Sequence, residues 1–145
     1  MELDKRGLDL HGVRCPLCDD DLETVDHSLI FCKHVIDVWD RVYKWWNMDS
    51  FFNYSIIEIC GTPVSNTNSM SKFGKKIWQE VNWIGLYLIW KKQNAKVFRN
   101  KCWNTPVALN EIQAKMFEWI SARAKGKSID WLTWLSNPSI YLSLF

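Results

Sequence analysis

The chain has 145 residues, 48% hydrophobic and 23% charged, with ten tryptophans and five cysteines, which suits one ordinary domain and excludes a disordered tail. Its net charge of +2 hides an asymmetry: residues 1–50 carry six Lys/Arg against eleven Asp/Glu, whereas residues 71–127 carry twelve against three, so any face able to meet a polyanion belongs to the second half. An odd cysteine count, no apolar run behind the charged N-terminus and no stretch fit to span a membrane point to an intracellular protein, nuclear or cytoplasmic, whose clustered cysteines bind metal.

In chain order, residues 12–21 hold Gly12, Pro16 and three consecutive aspartates, the composition of a tight loop or short hairpin carrying two cysteines. Thr24 is placed to cap a short turn over 25–31. Over 33–46 the apolar residues Val35, Val38, Val42 and Trp46, with Trp39 beside them, recur every three or four positions, which predicts an amphipathic helix. Residues 51–70, with Gly61, Pro63 and a polar run at 65–69, read as a connector with one brief apolar element at 54–60.

From 71 to 100 there is no proline, and Gly74 and Gly85 are the helix weakeners, so one long helix is predicted. It carries one stripe of Ile77, Val81, Ile84 and Leu88, and a second of Trp83, Tyr87, Trp90 and Val97. A helix apolar on two sides is expected at the centre of its domain, with its tryptophans in the core. Thr105 as cap and Pro106 in the first turn start another helix, to about 124, whose buried stripe is Leu109, Ile112, Met116, Trp119 and Ile120. Gly126 between Lys125 and Lys127 ends it. Asp130 caps a last short helix over 131–135, before Asn137-Pro138 and an apolar tail.

The chemistry sits near the N-terminus. Cys15-Pro16-Leu17-Cys18 is a Cys-x-x-Cys on a turn, followed by His27 and Cys32. Two thiolates from one loop, then a His and a Cys near helical elements, form a tetrahedral ligand set, and four protein ligands leave no open position for activating water. The expected cofactor is therefore one structural zinc ion. A redox Cys-x-x-Cys needs a strand-to-helix context that Pro16 and the aspartates do not supply. His34 is the rival ligand, and His27 fits the usual spacing better. Cys60 and Cys102 are expected to be buried thiols and His11 a surface residue.

These residues resemble a known family. Leu3-Asp4-Lys5-Arg6-Gly7-Leu8, Cys15-Pro16-Leu17-Cys18, Glu23-Thr24-Val25-Asp26-His27-Ser28-Leu29, Cys32 and Val38-Trp39 are similar to the zinc-binding domain that follows the polymerase in plant non-LTR retrotransposon reverse transcriptases. Ile89-Trp90-Lys91-Lys92-Gln93-Asn94-Ala95-Lys96-Val97-Phe98 resembles a stretch beyond that domain, with Gln93 where the family has arginine. The likeness covers residues 1–100 well and the remainder loosely. It implies the same four metal ligands, and a C-terminal piece of an RNA-directed DNA polymerase, or a small gene derived from one. The Tyr-x-Asp-Asp hairpin that such a polymerase uses to hold two metal ions is absent, so no enzyme activity is expected.

The fold expected is mainly α: residues 1–50 as a zinc-stapled knuckle and helix, 51–70 as connector, and 71–145 as a long central helix with one or two helices packed on it. The expected role is nucleic-acid contact, RNA or DNA, through Lys72, Lys75, Lys76, Lys91, Lys92, Lys96, Arg99 and Lys101, with Trp90 or Trp103 able to stack on a base. The alternative is a protein-interaction scaffold that packs on a polymerase domain or self-associates. The acidic first third, which repels phosphates, favours it.

Overall fold

The computed structural model describes residues 13–48 and 70–144. The segment holding His11 and the Arg6-Gly7 motif, and the connector with its apolar element and Cys60, lie outside the described residues. The described chain is mainly helical, and its one β-type contact is an isolated antiparallel bridge between Arg14 and Leu22. A knuckle over 13–23 leads into a single π-helical turn, His27–Phe31, then five α-helices: α1 (Lys33–Trp45), α2 (Lys72–Arg99), α3 (Thr105–Arg123), α4 (Trp131–Ser136) and α5 (Ile140–Leu144). None of the described helices is long and apolar enough to cross a membrane.

Local chemistry sets most of these boundaries. Ser71 caps α2 by accepting the Gly74 N–H at 2.9 Å, and Asn100 ends it in the left-handed region at φ 49°, a conformation asparagine tolerates. Asp130 caps α4 through the Thr133 N–H at 2.9 Å. At α3 the cap is one residue earlier than expected. Asn104 accepts from the Val107 N–H, while the Thr105 hydroxyl accepts from the Trp103 ring N–H at 3.2 Å. The apolar tail winds into the short α5, which docks on the start of α2: the Leu142 carbonyl accepts from the Ser71 N–H at 2.9 Å.

The core lies where α1, α2 and α3 meet. From α1 it takes Val35, Val38, Trp39, Val42, Tyr43 and the following Trp46; from α2 the stripe Ile77, Val81, Ile84 and Leu88; from α3 Ala108, Ile112, Met116 and Ile120. Trp39, Trp46, Trp78 and Trp134 are the largest fully buried side chains. Trp46 meets Trp78 and Trp134 edge-on at centroid distances of 5.8 and 5.1 Å, and Tyr43 meets Trp78 at 5.1 Å. Such pairs are worth ~0.5–1.5 kcal/mol each beyond the area they bury. Asn82, which breaks the apolar run of α2, is buried and accepts from the Tyr43 hydroxyl at 2.8 Å.

The second stripe of α2 departs from expectation. Trp83, Tyr87, Trp90 and Val97 are exposed by 56, 44, 51 and 49%. Helical periodicity places them correctly on one face, but α3 meets that face through Trp119 against Tyr87 and leaves much of it open.

Candidate metal centre

Two small devices bring the four ligands together. The first is the knuckle. Cys15 N–H donates to the Asp21 carbonyl at 2.8 Å, and Glu23 N–H to the Val13 carbonyl at 3.0 Å, so the chain doubles back over 15–21. Asp19 makes the reversal at φ 57°, a backbone region that aspartate visits more readily than most side chains. The turn carries Cys15 and Cys18 at its base and tip.

The second device is the π-turn. In an α-helix of 3.6 residues per turn, positions five apart stand about 140° apart, so His27 and Cys32 would face different ways. Here Cys32 N–H bonds to the His27 carbonyl at 2.7 Å, a five-residue closure that widens the turn and brings both donors to one side. Thr24 accepts the His27 N–H at 3.1 Å and so sets where the turn begins. Two core helices brace it: Trp39 of α1 donates to the Leu29 carbonyl at 2.9 Å, and the buried Gln93 of α2 donates to the Ser28 carbonyl.

The donor atoms of Cys15, Cys18, His27 and Cys32 all lie within 4.8 Å of one another, and the group can hold a metal ion. Cys15 Sγ is 3.8 Å from Cys32 Sγ, and Cys18 Sγ is 3.3 Å from His27 Nε2. Cys15, His27 and Cys32 are buried and Cys18 is half-buried. Burial raises the Cys18 thiol, but the backbone N–H groups of Asp20 and Asp21 and the His27 ring outweigh it and lower its pKa to about 7. Cys32 is pushed up to about 12, by burial first and then by the charge of Cys15. Thiolates gathered this closely repel one another, and a bound cation is what makes such a cluster favourable.

Residues around the cluster that the spacing did not reveal complete its setting. Lys33, the first residue of α1, holds the Asp20 carboxylate at 2.6 Å and keeps its pKa below the ordinary value. Asp21 Oδ2 stands 3.8 Å from His27 Nδ1, on the ring edge away from Cys18. The aspartate run is therefore more than a solvated loop, although no spacing rule marks which aspartate faces which partner. His34 is not among the clustered donors.

The eight cations expected to contact nucleic acid fall into two groups. Lys72, Lys75 and Lys76 are exposed on the first turns of α2. Lys91, Lys92, Lys96, Arg99 and Lys101 follow its second half, about 22 Å away at 1.5 Å per residue. Lys92 is half-buried and paired with Glu111 of α3, so it is a structural tie. Cys102, expected in the core, is exposed. Comparison of the chain with models of known families, with curated proteins and with solved structures finds no match in any of the three.

Proposed function

We propose that the chain is a zinc-stapled helical module of the reverse-transcriptase zinc-binding type, which contacts nucleic acid and has no polymerase activity of its own. The convergence of the four donors carries the metal part of this reading. A tetrahedral zinc with Zn–S bonds of about 2.3 Å separates its sulfurs by about 3.8 Å, and the Cys15–Cys32 separation is 3.8 Å. Three sulfurs and one imidazole favour zinc over the oxygen-seeking cations. With all four positions taken by protein, the ion fastens the knuckle to α1 and performs no chemistry. The purified protein is expected to hold one zinc per chain, counted by elemental analysis. Zinc well below one per chain, or a knuckle indifferent to a strong chelator, overturns the assignment.

The family part rests on the sequence motifs, and the nucleic-acid part on charge. Lys72, Lys75, Lys76, Lys91, Lys96, Arg99 and Lys101 make no ion pair among the described residues, and all lie on or just beyond one helix. Binding to RNA or DNA should weaken steeply with added salt as counterions are released. Affinity at low salt no better than that of a basic protein of similar size, with no function in such contact, refutes it.

A second reading, a scaffold that packs on another protein or on itself, draws on the uncovered ring face of α2. Sedimentation of the isolated chain separates the two: a stable dimer with no nucleic-acid affinity supports the scaffold.

A further inference from the structure

The second half of α2 and the first half of α3 enclose a groove of about 720 Å³, whose end is lined by the connecting residues 101–104. Its walls set rings beside cations. Tyr87, Trp90 and Phe98 come from α2 and Trp103 from the connection, while Lys91, Arg99 and Lys101 stand between and beyond them. Phe98 is 81% exposed and Trp90 51%. The Tyr87 ring lies 6.1 Å from Trp90, tilted by 33°, and 5.7 Å from Trp119, tilted by 40°. These three rings form a leaning stack that begins on α3 and opens at Trp90.

The charges around the rings decide what fits. The acid on the lining, Glu111, is neutralised by Lys92, and Lys115 is held by Glu118. Lys91, Arg99 and Lys101 are exposed and make no ion pair among the described residues. An apolar partner helix would leave these three cations without counterions at its edge. A single nucleic-acid strand offers both complements at once, flat faces for the rings and phosphates for the cations. A duplex offers the phosphates but keeps its base faces in its own stack.

We infer that this groove binds single-stranded nucleic acid, with a base laid on Trp90 at the open end of the ring stack and phosphates met by Lys91, Arg99 and Lys101. The inference rests on the nucleic-acid reading above and narrows it to a site and a strandedness. RNA and DNA share the chemistry that the groove recognises.

The test uses the full zinc-loaded chain and labelled twelve-nucleotide single strands of RNA and of DNA, with the matching duplexes, followed by anisotropy. Single strands should bind more tightly than duplexes, and the RNA and DNA arms show which is preferred. Trp90→Ala should weaken single-strand binding about tenfold, the loss of one stacked base, and leave the weaker duplex binding unchanged. Trp90→Phe, which keeps a ring, should recover most of it. Lys91→Ala should lower the slope of log affinity against log salt by about one. Replacing Lys72, Lys75 and Lys76 with alanine, outside the groove, should leave the preference for single strands intact.

If duplexes bind as well as single strands, or Trp90→Ala changes nothing, the groove is not the site, while the broader reading of α2 as a polyanion-binding helix stands. If the wild-type chain binds none of the probes, both fall. Loss of self-association in Trp90→Ala without any nucleic-acid binding would make the groove a protein interface and overturn the inference.

Discussion

Within residues 13–32 the buried apolar side chains are Cys15, Ile30 and Cys32, whereas the helices bury Trp39, Trp46, Trp78 and Trp134 together with a full set of aliphatic residues. Two of these three, Cys15 and Cys32, belong to the donor cluster that could hold a metal ion. Apart from those donors, Ile30 and the partly buried Leu17 and Leu29 supply the packing, little apolar surface to set against the entropy of ordering some twenty residues. The helical body has no such dependence, since its rings and aliphatic stripes interlock across α1, α2 and α3. On the proposed zinc assignment, the two regions represent two ways of fixing a chain: coordination where side chains are few and polar, packing where they are many and apolar. What joins them is narrow, chiefly Trp39 and Gln93 on the π-turn carbonyls and Ile30 in the core.

Removing the proposed zinc is the largest test of this contrast. Chelation, or Cys32→Ser, should abolish amide-exchange protection across 13–32 while α2 and α3 keep theirs, because metal binding in such units is folding free energy. Simultaneous loss of protection in α2 would show that the two regions form one cooperative unit and would break the comparison.

Next is Gly85→Ala, a change confined to the helical body. A Cβ there would sit 2.6 Å from the Trp39 ring, and that ring is fully buried. Overpacking should cost about 1–3 kcal/mol and outweigh the roughly 1 kcal/mol that alanine gains as a helix former. A rise in melting temperature would refute it.

Gln93→Leu probes the joint. It leaves the Ser28 carbonyl without its donor, at a cost of about 1–3 kcal/mol, and should speed metal loss to a competing chelator. Unchanged metal release would mean that the body does not brace the π-turn.

Lys33→Ala should have the smallest effect. The Asp20 carboxyl, held low by Lys33, should move up toward the ordinary carboxylate range in a titration followed by NMR. In the wild type this contact contributes above the ordinary carboxylate pKa and is lost as pH falls through the depressed one. Both groups are exposed, so little change in stability should accompany it. An unmoved Asp20 titration would show that some other group holds it low.

The four clustered donors were legible because Cys-x-x-Cys followed by His and Cys is a pattern that geometry constrains tightly, and the cap at Asp130 because a small polar residue just before a helical run commonly accepts from the first turn. The π-turn was hidden, since a five-residue hydrogen-bond closure leaves no periodic mark in a run of five residues. Gly74 and Gly85 read as weak points of α2, yet each marks a close approach, to the Leu142 carbonyl and to the Trp39 ring. A sequence shows that a side chain is missing without showing what occupies the space. The Trp83, Tyr87 and Trp90 stripe erred for a related reason. Periodicity places residues on a common face, but whether anything covers that face is decided by elements distant in the chain. Gln93 stood out as a departure from the pattern of the family that the sequence resembles, and its role became visible only with the Ser28 carbonyl opposite it.

The docking of α5 on the first turn of α2 bears on how the body assembles. The Ser71 hydroxyl and the Leu142 carbonyl it meets are 71 positions apart, while α2 and α3 are joined by a connection of only a few residues. Closing a long loop costs more entropy than closing a short one, so the α2–α3 hairpin should form early and the joint at Leu142 late. A change at Gly74 should then leave the folding rate nearly untouched and appear as faster unfolding, which makes this seam the setting of the molecule's lifetime once folded.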